Sequence, residues 1–130
     1  MKKLIAACVT LLLLATAGVA IAQQAGARAI AIAANSKVIS ASVSNQAGRS
    51  PYFLFFDNKG TLVEAVDNPY KDAGSAGIPT LDFLVSKGAK VVVAESFGSK
   101  IVEVMKDKGL RPVEFKGSAG DAVKKALGLR

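Results

Sequence analysis

A glycine and an arginine stand side by side in the polar segment Val43-Ser44-Asn45-Gln46-Ala47-Gly48-Arg49-Ser50, which runs straight into Pro51-Tyr52-Phe53-Leu54-Phe55-Phe56-Asp57. A loop of this kind at a strand end offers backbone N–H groups and one planar, permanently charged guanidinium, the donors that hold a small anion. Gln46 adds an amide that can hydrogen-bond a sulfide or an oxyanion but is a poor metal ligand. Further along, Gly74 and Gly77 precede one apolar-periodic segment, and Gly98 precedes another that opens with Ser99 and Lys100. Glycines at such places let backbone come close to a ligand, and they equally suit the turns that begin helices.

The chemistry that is excluded is as informative. The chain has no histidine, and its single cysteine, Cys8, lies in the apolar N-terminal stretch. Ser-His-Asp and Cys-His nucleophilic sites are therefore impossible. Copper, zinc or an iron–sulfur cluster would find no thiolate or imidazole to ligate it, so no metal-ligating residues are assigned. Two-metal phosphoryl chemistry needs clustered carboxylates, and the apolar run at 29–34 carries none. No GxxxxGK[ST] run is present. The sequence reads as a binding protein, not an enzyme.

The amino terminus begins Met1-Lys2-Lys3, stays uncharged from residue 4 to 22 and closes on Ala20-Ile21-Ala22. A basic start, an apolar run and small residues at the end read as a signal peptide over 1–22, which predicts a periplasmic or secreted protein. An uncleaved anchor is the alternative, because the uncharged run is long enough to span a bilayer. Removing Lys2 and Lys3 from the 17 basic residues leaves 15 against 10 acidic ones, a mature charge of +5. That excess favours anionic partners in general. No interleaved basic and aromatic loop accompanies it, so no nucleic-acid partner is expected, nor any membrane contact once the signal is cleaved.

These residues need elements to position them. Residues 23–28 form a lead-in without periodicity, expected to be disordered, and 29–130 form one domain. The small apolar run 29–34 suits a strand buried on both faces. Residues 38–43 read as a short extended excursion, 52–57 as an aromatic strand and 61–66 as its hairpin partner. Ile78, Leu81, Leu84 and Val85 then share a helical face, with Pro79 in the first turn and Gly88 past the end. Residues 91–94 form an apolar strand, and Ile101, Val104 and Met105 lie on a second helix ending at Gly109. Residues 110–115 form a fifth strand that Pro112 confines to a sheet edge. Ser118 and Asp121 have capping spacing for a last helix.

Hairpin links pair the first three strands, and right-handed crossovers place the fourth and fifth on the other side. The expected fold is an α/β mixed five-stranded sheet, order 3-2-1-4-5, with strand 2 antiparallel and three helices. The first two helices share one face, and the last covers the other. One sheet edge then gathers the loops carrying Gln46, Gly48, Arg49, Gly74, Gly77, Gly98 and Lys100, where open α/β sheets bind ligands. Tyr52, Phe53, Phe55 and Phe56 are expected in the core and on the sheet faces, and Asp57 and Asp67 at strand ends.

The run 44–57, the helix between Gly74 and Gly88 and the segment 90–109 resemble the dinitrogenase iron–molybdenum cofactor biosynthesis family, the NifX-like and NifB C-terminal domains. The most specific stretch is Gly48-Arg49-Ser50-Pro51-Tyr52-Phe53. The resemblance implies a ribonuclease-H-like fold and a small accessory protein that binds or carries an iron–molybdenum or other metal–sulfur cluster. Where the family has His-Phe before the glycine, this chain has Gln46 and Ala47, so the cluster would be held without Cys or His ligands. The expectation is an exported protein that grips an anionic cluster or metal oxyanion through outer-sphere contacts, with a protein partner as a further possibility. The alternative is a non-catalytic interaction module that keeps the fold and has lost cofactor binding.

Overall fold

The computed structural model describes residues 28–128. The expected signal segment and residues 23–27 of the lead-in lie outside them. Three strands come first and helices then alternate with the remaining two: β1 (Ile30–Ala34), β2 (Tyr52–Phe56), β3 (Leu62–Asp67), α1 (Gly77–Ser86), β4 (Val91–Ala94), α2 (Ser99–Asp107), β5 (Arg111–Glu114) and α3 (Ala119–Ala126). The sheet order is β3-β2-β1-β4-β5, with β2 antiparallel to β1 and β3, and β1, β4 and β5 parallel. This is the expected α/β architecture, and β5 with its Pro112 lies at the edge where a missing N–H costs no ladder bond.

Side-chain size sets the layers. On one face Ala31 and Ala33 of β1 stand opposite Phe55 and Phe53 of β2, small against large. That face buries Leu81 and Leu84 of α1 and Met105 of α2. On the other face Ile30 and Ile32 stand opposite Phe56 and Leu54, and Ala122, Val123 and Ala126 of α3 cover them. Every residue of β1 is buried, as a central strand with helices on both sides requires. Each buried phenylalanine contributes on the order of 2 kcal/mol through its lost water contact.

The β1–β2 connection departs from the expected hairpin link: it runs from residue 35 to 51 and carries its own structure. The β1–β4 register ends at Ile32 and Val93, which leaves later backbone groups on both strands without each other. The chain returns into that gap. Ser44 N–H donates to the Ala33 carbonyl at 2.7 Å, and Glu95 N–H donates to the Ser44 carbonyl at 2.9 Å. Val43 N–H reaches the Gly117 carbonyl at 2.8 Å, and Ser96 N–H the Asn45 carbonyl at 3.2 Å. Residues 43–46 are thus wedged between the tops of β1 and β4, at the edge where the candidate loops lie.

Arg28, assigned to the disordered lead-in, is held instead: its guanidinium and the Lys87 ammonium each lie 3.0 Å from the Glu64 carboxylate. Two charge-assisted contacts from different elements fix the chain as it enters β1.

Candidate functional site

Three loops close around a cavity of about 310 Å³ at the C-terminal edge of β1 and β4. The wedge delivers Gln46, Gly48 and Arg49 to its wall; the segment before α1 delivers Gly74 and Gly77; the turn before α2 delivers Gly98. Lys100 is exposed and outside the lining. Its neighbour Ile101 lines the cavity instead, and a step of about 100° round the helix carries the two side chains in different directions.

Ser75, Ser96 and Phe97 also line the cavity, as do Ala47 and Ala76. Sequence reasoning passed over these. Ile101 was assigned to the helix core by its spacing, and the serines carried no signal beyond turn composition. Ala47 is 4% exposed, so the position beside Gln46 is packing rather than a reaching side chain. The phenylalanines of β2 belong to the core and take no part in the wall.

Among the described residues Arg49 is the sole charged one in the lining. Its Nη1 donates to the carbonyls of Lys71 and Ala73, both at 3.1 Å, and Nη2 approaches the Gly74 carbonyl at 3.5 Å. The fork thus fastens the loop before α1 while keeping its charge at the cavity wall. The turn before α2 is fastened from below: Phe97 N–H donates to a Glu114 carboxylate oxygen at 3.2 Å, and Ser96 Oγ to the Asn45 carbonyl at 3.3 Å.

Two helices begin at this cavity, and neither has a capping side chain. The N-caps are Ala76 for α1 and Gly98 for α2; neither makes a side-chain cap bond, and neither helix has an acidic residue in its first turn. The contrast is α3, away from the cavity, where Ser118 Oγ accepts the Asp121 N–H at 3.2 Å. Uncapped helix starts leave N–H donors and the positive end of the helix dipole for another acceptor. Among the described residues no three His, Cys, Asp or Glu side chains cluster to hold a metal ion. The donors at hand are amides, hydroxyls and one guanidinium, which suit an anion met through its outer atoms.

The family described as dinitrogenase iron–molybdenum cofactor matches residues 11–129, and the chain belongs to it. It is similar to a putative NifB protein from Thermotoga, at 31% identity and a TM-score of 0.63, over 75% of this chain and 84% of that one. It shares its fold with the apo form of the orange protein from Desulfovibrio gigas, at a TM-score of 0.71 and 24% identity, over 78% of this chain and 88% of the other. No curated protein sequence matches it.

Proposed function

We propose that the chain is a small exported accessory protein that binds or carries an anionic metal–sulfur cluster or metal oxyanion of the iron–molybdenum cofactor type. Gln46, Gly48, Arg49, Gly74, Gly77 and Gly98 form its cradle, and the hold is outer-sphere. The observation that carries this reading is the meeting of two uncapped helix starts at one cavity where Arg49 is the only charged lining residue among those described. N–H donors and a fixed cation favour a negative guest, and the guest's charge removes the cost of leaving those donors bare. Lys100 stays outside the cradle and adds only its field from the rim.

The runner-up is an interaction module without cargo. It is favoured by the Arg49 fork being engaged with three loop carbonyls. Molybdenum, iron and copper measured on protein purified from its native host separate the two. Stoichiometric metal, or a colour change with a defined mass increment in native mass spectrometry after adding tetrathiomolybdate, is the expected result. Metal-free protein under every growth condition, with no increment, leaves the interaction module. Export is tested separately: amino-terminal sequencing of the processed protein should begin at Gln23.

A further inference from the structure

The cavity wall contains one peptide unit held by a buried polar pair that the cradle itself does not require. The Gly48 carbonyl accepts hydrogen bonds from Asn68 Nδ2 and Thr80 Oγ1, both at 3.0 Å. Asn68 is 2% exposed and Thr80 fully buried, so this is an interior arrangement between the β3–α1 loop and the first turn of α1. The orientation of the Asn68 amide is fixed independently, because its Oδ1 accepts the Tyr70 N–H at 3.0 Å and only an oxygen can do so. Burying two side chains to grip a single carbonyl costs desolvation that a plain turn would not demand.

The consequence follows from peptide planarity. The Gly48–Arg49 bond is trans, so its C=O and N–H point in opposite directions. With the carbonyl drawn toward Asn68 and Thr80, the Arg49 N–H must face away from them. Both residues of this peptide line the cavity, and the turn around it is closed by Ser50 N–H to the Ala47 carbonyl at 3.3 Å.

We infer that Asn68 and Thr80 are positioning residues that aim the Arg49 backbone N–H at an anion in the cavity. This rests on the anion-binding reading and adds which donor is aimed and what aims it. The arginine then serves twice: its side chain fastens the loop and its backbone meets the guest. The Thr80 hydroxyl has one proton, which its 3.0 Å contact with this carbonyl takes over the 3.4 Å contact with Asn68 Oδ1, so two donors hold the carbonyl and the wall shows the guest a donor rather than an acceptor. That rejects cations and favours oxyanions and thioanions.

The test is a titration of ¹⁵N-labelled protein with tetrathiomolybdate, and with molybdate as the oxygen counterpart, following each backbone amide. The Arg49 amide should move with the largest shift in the segment 44–50. Thr80→Val removes the hydroxyl at nearly constant shape and leaves Asn68 on the carbonyl; it should weaken binding about five- to tenfold, the worth of one hydrogen bond. Thr80→Ser keeps the hydroxyl and should bind as the parent does. Binding by the parent with the Arg49 amide unmoved, or matched by Thr80→Val, overturns this inference and leaves the anion-binding reading standing. A parent protein in which no amide shifts overturns both.

Discussion

The α carbon of Gly77 lies 3.0 Å from the point that a β carbon on Gly48 would occupy, with the Gly77 nitrogen 3.2 Å from it. Two backbones therefore touch at the floor of the cavity, one from the wedge and one from the start of α1. Neither can move without the other. Gly48→Ala drives a methyl into main chain and should cost about 1–3 kcal/mol, as overpacking does. Gly77→Ala meets only the Ile101 side chain, Cδ1 at 2.6 Å and Cγ1 at 3.7 Å, whose end is movable, and should cost less than about 1 kcal/mol. Urea denaturation of both variants checks the order, and an equal loss would mean that the contact is not rigid.

Arg49 can be separated into charge and fork. Arg49→Lys keeps the positive charge but not the planar pair of amines that reaches Lys71, Ala73 and Gly74. Amide exchange in residues 71–77 should quicken in both Arg49→Lys and Arg49→Ala. Anion affinity should fall further in the alanine variant, where the charge is gone as well.

Glu64 ties acid sensitivity to the entry of the chain into the sheet. The Lys87 hydrogen bond, opposed by burial and aided by Arg28, holds its carboxyl below the usual glutamate range. A depressed folded-state pKa contributes stability that is complete above the ordinary carboxylate range and is lost as pH falls through the lowered value. Asp57 acts in the same direction, through the Thr61 N–H that it accepts. The Glu64→Gln variant should therefore lose stability relative to the parent at neutral pH, and the gap should narrow on acidification. Urea midpoints across the range from about pH 7 to about pH 3 measure it.

Ser118 lies outside the cavity lining and provides a control. Ser118→Ala removes the α3 cap and should destabilise by about 1 kcal/mol. Binding of tetrathiomolybdate by the fraction that stays folded should be unchanged. A matching loss of affinity would show that α3 takes part in the site after all.

Much of the architecture was legible because it rests on local pattern. The small apolar run of β1, the aromatic run of β2, the β-edge proline and the Ser118–Asp121 spacing each have one physical reading, and strand order followed from sequential pairing and crossover handedness. Gly48, Arg49 and the three helix-start glycines reached one cavity for the same reason. The wedge at 43–46 was not legible: its hydrogen bonds go to Ala33, Glu95, Ser96 and Gly117, and nothing in a short Val-Ser-Asn-Gln stretch announces such distant partners. Asn68 and Thr80 read as a turn residue and a helix residue because their target is a main-chain carbonyl that has no letter in the sequence. Lys100 was drawn in by proximity along the chain, and helical phase placed its neighbour in the wall instead.

The bond from Glu95 to Ser44 joins the residue just past the fourth strand to one laid down some fifty positions earlier. A growing polypeptide that has emitted its arginine loop still lacks half the vessel until the second crossover arrives. A copy that ends before the second crossover has the arginine wall without Ser96, Phe97, Gly98 and Ile101 facing it, so the cavity is complete only when the chain through α2 is in place.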